Sequence, residues 1–164
     1  DLVRTVVESG ADVLAHNLEV PRALTKRVRD GRCGYDQSLA VLRAIKDVDA
    51  TTYSKSSLMV GLGETEDDML EAMRDLREAG VDFLTIGQYL RPSAKHIAIE
   101  EYVELDQFAR YEATGRELGF RYVASGPLVR SSYKAGEFFI HNLLQARDAG
   151  PPKTPAARRL QVLS

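Results

Sequence analysis

Four short polar clusters in the 164-residue sequence carry side chains able to do chemistry. In His16-Asn17-Leu18-Glu19 an amide donor and a carboxylate are two residues apart. Such a pair can grip the vicinal hydroxyls of a sugar, because a carboxylate accepts from both. It can equally be a strand-end network satisfied within the fold. Gly61-Leu62-Gly63-Glu64-Thr65 joins a β-branched run to a helix start. Its glycines would let a ligand approach the backbone beside free helix N–H groups, or simply make a tight turn ahead of a cap. Arg130-Ser131-Ser132-Tyr133 puts a cation, two hydroxyls and a phenol in four residues, unless Ser132 is only the N-cap of a following helix. Gln88-Tyr89-Leu90-Arg91-Pro92 could hold the edge of an aromatic ligand or mark a strand stopped by proline.

These clusters sit at the ends of elements that alternate in type. Leu2, Val3, Val6 and Val7 have helical spacing that Gly10 ends. Val13-Leu14-Ala15 reads as a short buried strand, and residues 21–34 as a loop with one helical turn. Asp36 is expected to cap a helix carrying Leu39, Leu42 and Ile45. A strand spans residues 51–60. Thr65 and Asp68 form a capping box for a helix with Met69, Met73 and Leu76 on its apolar face. Val81, Phe83, Leu84 and Ile86 make the next strand, Asp106 caps the next helix, and Phe120, Tyr122 and Val123 make the last strand. From Gly126 the chain reads as extended and exposed to Tyr133, then as an amphipathic helix from Ala135 to Arg147 and a Pro-rich exit. The rhythm is that of an α/β chain of parallel βα units. Ligand-binding residues of such sheets gather at the carboxyl ends of the strands. A closed eight-unit barrel needs about 250 residues, so this chain forms a sector with an open edge.

Composition narrows the function classes. A net charge of −2 and 28% charged residues exclude the basic footprint of a nucleic-acid binder. No apolar run reaches the roughly 18 residues of a membrane span. A lone Cys33 can form neither an internal disulfide nor, by itself, a thiolate-held metal cluster, and it is compatible with a reducing compartment. His96 and His141 have no partner at metal-ligand spacing. The basic run Arg22, Lys26, Arg27, Arg29 and Arg32 reads as a solvated face or a contact with an acidic partner or neighbouring domain.

Taken in order, His16-Asn17-Leu18-Glu19, Val28-Arg29, Tyr35 to Leu39, Lys55 to Thr65, Gln88 to Ser93 and Ala124 to Tyr133 resemble the lipoyl synthase family. The match covers nearly all of residues 1 to about 140, as the carboxyl-terminal half or somewhat more of such an enzyme. The resemblance implies a sector of a partial (βα)6 radical S-adenosylmethionine barrel of TIM-like type over residues 1–125. A carboxyl-terminal extension over residues 126–150 and a flexible tail over 151–164 would follow. It implies S-adenosylmethionine and two [4Fe–4S] clusters as cofactors. One cluster cleaves S-adenosylmethionine reductively, and the deoxyadenosyl radical takes hydrogens from C6 and C8 of a carrier-bound octanoyl chain. The auxiliary cluster is the sulfur source.

By the same resemblance, Asn17 and Glu19 lie near the ribose and methionine moieties. Ser57, Met59, Gly61 and Glu64 pack against adenine and shape the turn, with Ser57 in place of the usual glycine. Gln88, Tyr89 and Pro92 line the same site. Ser132 matches the serine that ligates one iron of the auxiliary cluster, and Arg130 would stabilise that anionic cluster or gate the ligand. A serine oxygen is a harder donor than a thiolate, so it suits a cluster meant to be dismantled. The implied partners are an octanoylated lipoyl carrier domain or glycine cleavage H protein, and an electron donor such as ferredoxin or flavodoxin. The expected location is cytoplasmic, with no nucleic acid or membrane partner. The family's cysteine triplets precede the region matched here, so unaided the chain is expected to hold neither cluster and to be inactive. The competing reading is a non-catalytic half-barrel binding module without iron–sulfur clusters.

Overall fold

Parallel strands with helices on one face account for almost every apolar repeat in the sequence. The computed structural model describes residues 2–132 together with Gln145. Its elements run α1 (Leu2–Val7), β1 (Val13–Ala15), α2 (Arg22–Val28), α3 (Tyr35–Val48), β2 (Tyr53–Val60), α4 (Glu66–Glu78), β3 (Phe83–Gln88), α5 (Leu105–Glu117) and β4 (Tyr122–Gly126). The strands form one sheet in the order β1-β2-β3-β4, and every pair is parallel. The chain is thus a mixed α/β fold with a helical crossover between successive strands. Most of the extension and the whole of the 151–164 tail lie outside the described residues, as does the helix expected over residues 135–147 apart from Gln145.

Alternation along each strand sorts the side chains. Leu58, Val60, Leu84, Ile86 and Val123 face the helices and merge with Leu42 and Ile45 of α3, Met69, Met73 and Leu76 of α4, and Phe108 and Tyr111 of α5. The opposite face carries Lys55, Ser57 and Met59 of β2 and Thr85 and Gly87 of β3, with the Tyr53 and Phe83 rings 5.4 Å apart below them. A second apolar cluster of Val20, Leu24, Leu62 and Tyr89, with Ile97 and Ile99 packed on it, sits beyond the carboxyl ends of the strands. It seats α2 and the irregular segment 90–104.

Four local expectations are corrected. Residues 22–28 form a helix rather than a loop, because buried Leu24 and Thr25 anchor it. α3 is capped by Gly34, whose backbone N–H donates to Gln37 Oε1, while Asp36 lies inside the first turn and pairs with Arg22 at 2.8 Å. Glu104, not Asp106, precedes α5, and it makes no side-chain cap. β1 is a half-buried edge strand with Ala15 exposed, since only β2 flanks it. The Thr65–Asp68 capping box forms as expected, with both reciprocal bonds present.

The stretch from Gly126 is exposed at Leu128, Arg130, Ser131 and Ser132, as expected, but it turns instead of running extended. Gly126 ends β4, Val129 N–H donates back to the Gly126 carbonyl at 3.1 Å, and Val129 is buried. At the opposite end of the sheet, buried Asp82 accepts from Lys46 Nζ at 2.6 Å, the Ser54 amide at 2.9 Å and Arg121 Nε at 3.1 Å. That network ties α3, β2 and the start of β4 together on the side away from the cavities.

Candidate functional site

β1, β2 and β3 deliver their polar ends to one place. After β1 the chain turns at Glu19, whose φ of 72° is the one left-handed value at a non-glycine residue among those described. Residues of this kind rarely occupy that region, and such strain gathers at functional sites. Two backbone bonds hold it: Glu19 N–H donates to the Ser57 carbonyl at 2.9 Å, and Met59 N–H donates to the Glu19 carbonyl at 2.7 Å. The flanking Leu18 and Val20 are fully buried, so the side chain of Glu19 is presented by a rigid anchor.

A cavity of about 270 Å³ opens beside it. Its walls are Asn17 and Glu19 from the β1 exit, Ser57 to Met59 from β2, Gly87 to Leu90 and Pro92 from β3 onward, and Val129 to Ser131 from the segment after β4. Polar and apolar side chains therefore both line the cavity. Thr85, in register with Ser57, keeps a buried hydroxyl that has no hydrogen-bond partner among the described residues. A second, more open cavity adjoins it, lined by Ala15, His16, Asn17, Glu19, Arg29, Ser131 and Ser132. Asn17, Glu19 and Ser131 belong to both.

Charge in the second cavity is unevenly answered. Arg29 Nη1 donates to Ser38 Oγ at 2.7 Å, and no carboxylate stands within ion-pair distance of it among the described residues. His16 is held below its ordinary pKa, first by burial and then by the Arg29 charge, against an upward pull from Glu19. Burial and the Arg29 charge thus both favour the neutral imidazole. Arg130 is turned toward its own backbone: Nη1 donates to the Val129 carbonyl at 2.6 Å and to the Pro127 carbonyl at 3.2 Å.

Of the residues singled out in the sequence, Asn17, Glu19, Ser57, Met59, Gln88, Tyr89, Pro92 and Arg130 share the first cavity, and Ser132 lines the second. Gly61 and Glu64 line neither. The Glu64 carboxylate accepts from the amides of Gly61 at 2.6 Å and Leu62 at 2.9 Å, so the turn's donors are already occupied. Gln88 and Tyr89 also carry the 90–104 segment. Gln88 Nε2 donates to the Glu101 carbonyl at 2.9 Å, its Oε1 accepts from Val103 N–H at 3.0 Å, and Tyr89 Oη donates to the Ile97 carbonyl at 3.0 Å. Arg29 and Gly87 were not singled out as site residues. The basic run around Arg29 reads as solvated surface, and nothing local to Gly87 marks it.

In open α/β sheets, crevices at the carboxyl ends of the strands are where ligands bind. The chain is 58% identical to "Lipoyl synthase" of Anaeromyxobacter sp. over 92% of its length, which is 51% of that relative. It is 51% identical to "Lipoyl synthase" of Sorangium cellulosum over 98% of its length and 47% of that relative. It is 54% identical to "Lipoyl synthase, mitochondrial" of Xenopus laevis over 88% of its length and 39% of that relative. No protein-family model matches. The chain belongs to the lipoyl synthase family, and it spans about half the length or less of these curated relatives.

Proposed function

We propose that the chain is the nucleoside-binding wall and following segment of a radical S-adenosylmethionine lipoyl synthase, its sheet a sector of a (βα)6 barrel. The reaction is insertion of two sulfur atoms at C6 and C8 of an octanoyl chain carried on a lysine of a lipoyl carrier domain. Such a carrier, or the glycine cleavage H protein, would be the protein substrate, and a ferredoxin- or flavodoxin-type protein the electron donor. One observation carries the reading: residues of three separate strands and the returning segment, matched to the family by sequence, stand around a single cavity.

The cavity's donor set fits S-adenosylmethionine. Glu19 and Asn17 would accept from and donate to the ribose hydroxyls. Met59, Tyr89, Leu90 and Pro92 offer the apolar surface that an adenine ring needs. When bound, the group supplies one-electron hydrogen abstraction. The chain's own residues would bind and orient it, with Leu90 and Pro92 at the start of the 90–104 segment lining one side.

An iron–sulfur cluster is a different matter. Such clusters are held mainly by thiolates. Cys33 is exposed and lines a separate cavity with Arg22 and Tyr35. Among the described residues no group of three His, Cys, Asp or Glu side chains suits a metal ion. These residues do not fit a cluster by themselves. The proposed role of Ser132 is confined to one oxygen ligand, with Arg130 beside it, on a cluster whose thiolates are supplied by other residues. Among the described residues no helix is long and apolar enough to cross a membrane.

The test is saturation-transfer NMR with S-adenosylhomocysteine, which detects weak binding of the same nucleoside. Transfer to the adenine protons in the wild-type chain, reduced in Glu19→Ala and absent for a guanosine analogue, is the expected result. No transfer at millimolar ligand overturns the reading.

A further inference from the structure

Gly87 has no conformational reason to be glycine. It lies inside β3, outside the left-handed region that favours the residue, and a glycine inside a strand weakens it. The space around it explains the choice. A Cβ built at Gly87 would collide with the Val129 carbonyl oxygen, stand 3.2 Å from the carbonyl carbon and stand 3.5 Å from Arg130 Nη1. The same carbonyl oxygen accepts from Arg130 Nη1. It is therefore clasped between the bare face of β3 and the guanidinium of the next residue.

The neighbouring glycine supplies a contrast. Gly126 pairs with Gly87 in register across β3 and β4. A Cβ there would meet only the Val129 Cγ2 atom, at an ordinary 3.5 Å. Both glycines face the same segment, yet only one is required by a backbone contact.

We propose that Gly87 is a positioning residue: its missing side chain seats the Val129 carbonyl, and that seat fixes where Arg130 and Ser131 enter the cavity wall and where Ser132 follows. The ligand side of this inference rests on the nucleoside reading above; the seat itself does not. A methyl group at residue 87 lifts the carbonyl off the sheet and breaks the Arg130 clasp with it. The core face of β3 is untouched, because Leu84 and Ile86 point the other way.

The experiment compares Gly87→Ala with Gly126→Ala in the full chain. Two readouts are taken: amide hydrogen exchange by mass spectrometry and S-adenosylhomocysteine binding by NMR. Gly87→Ala is expected to speed exchange at the Val129 amide, which donates to the Gly126 carbonyl, by about tenfold while peptides from β3 and β4 keep wild-type rates. It is also expected to weaken the ligand by about tenfold. Gly126→Ala should match wild type in both. Equal behaviour of the two variants, or unchanged exchange at the Val129 amide, overturns the proposal. If the wild-type chain binds no nucleoside, the functional reading falls, and the exchange comparison still decides the seat. Should Gly87→Ala fail to fold, Arg130→Met removes the clasp on the same carbonyl. Faster exchange at the Val129 amide then supports the proposal, and unchanged exchange there overturns it.

Discussion

The carboxylate of Glu64 closes its own turn by accepting the amide of Gly61 at 2.6 Å. Leu62 N–H donates to the other oxygen at 2.9 Å. An acid that could have been read as a ligand contact is thus committed to the backbone between β2 and α4. Removing it strands two main-chain donors, each costing about 1–3 kcal/mol when left unsatisfied out of water. Glu64→Ala is expected to lower the urea midpoint clearly, and Glu64→Gln, which keeps an acceptor, to lower it less. Equal losses in the two variants would contradict the assignment.

Gly61 and Gly63 share a φ of 95° but not their surroundings. A Cβ on Gly61 would run into the Gln88 amide and the Glu101 carbonyl, whereas on Gly63 the nearest neighbour is Glu100 Cγ at 3.6 Å. Both alanine variants incur the left-handed penalty. Gly61→Ala adds displacement of the 90–104 segment and should be less stable than Gly63→Ala by more than about 1 kcal/mol, read from paired denaturation curves.

Tyr111 gives a pH test in the alkaline range. Burial first, and then the negative charge of Glu64, push its phenol up to about 12. A folded-state pKa above the unfolded value of about 10 stabilises the fold below that pH. The stabilisation is lost as pH rises from there through the folded value. The difference absorbance between wild type and Tyr111→Phe should show late ionisation, and Glu64→Gln should bring it earlier.

His16 gives a test near neutrality, with the opposite sign. Its pKa is lowered, so its contribution is present above the unfolded value of about 6.5 and is lost as pH falls through the folded one. Because Arg29 lowers it and Glu19 raises it, Arg29→Met should move the NMR titration midpoint up and Glu19→Gln should move it down. Shifts in the same direction would show that the second cavity is not arranged as described.

Asp82 anchors the far end of the sheet with three donors. Removing one member of such a buried set leaves the others unanswered, at about 3 kcal/mol. Asp82→Ala should therefore cost more than Arg121→Ala, whose side chain is half exposed. Thermal melts of the two variants read the difference.

The alternation of strands and helices was legible because its signs are local: apolar spacing, β-branched runs, and a cap such as Thr65 with Asp68. α2 was hidden because it is dense in Arg and Lys, and because its buried Leu24 clusters with residues far off in sequence such as Leu62 and Tyr89. Asp36 and Asp106 looked like caps, but Asp36 is engaged by Arg22 and the chain had entered each helix earlier. Asn17 and Glu19 could be named from the end of the first strand, and Ser57 only through the family resemblance. Gly87 could not, since its meaning lies in a carbonyl from a segment more than forty residues later.

Glu19 holds a backbone shape that glycine or asparagine adopts with less strain. A laboratory selection for heat tolerance alone would accordingly drift toward those residues at that position. A selection for ligand capture would hold the carboxylate in place, and the divergence between the two lineages would measure what the bend is for.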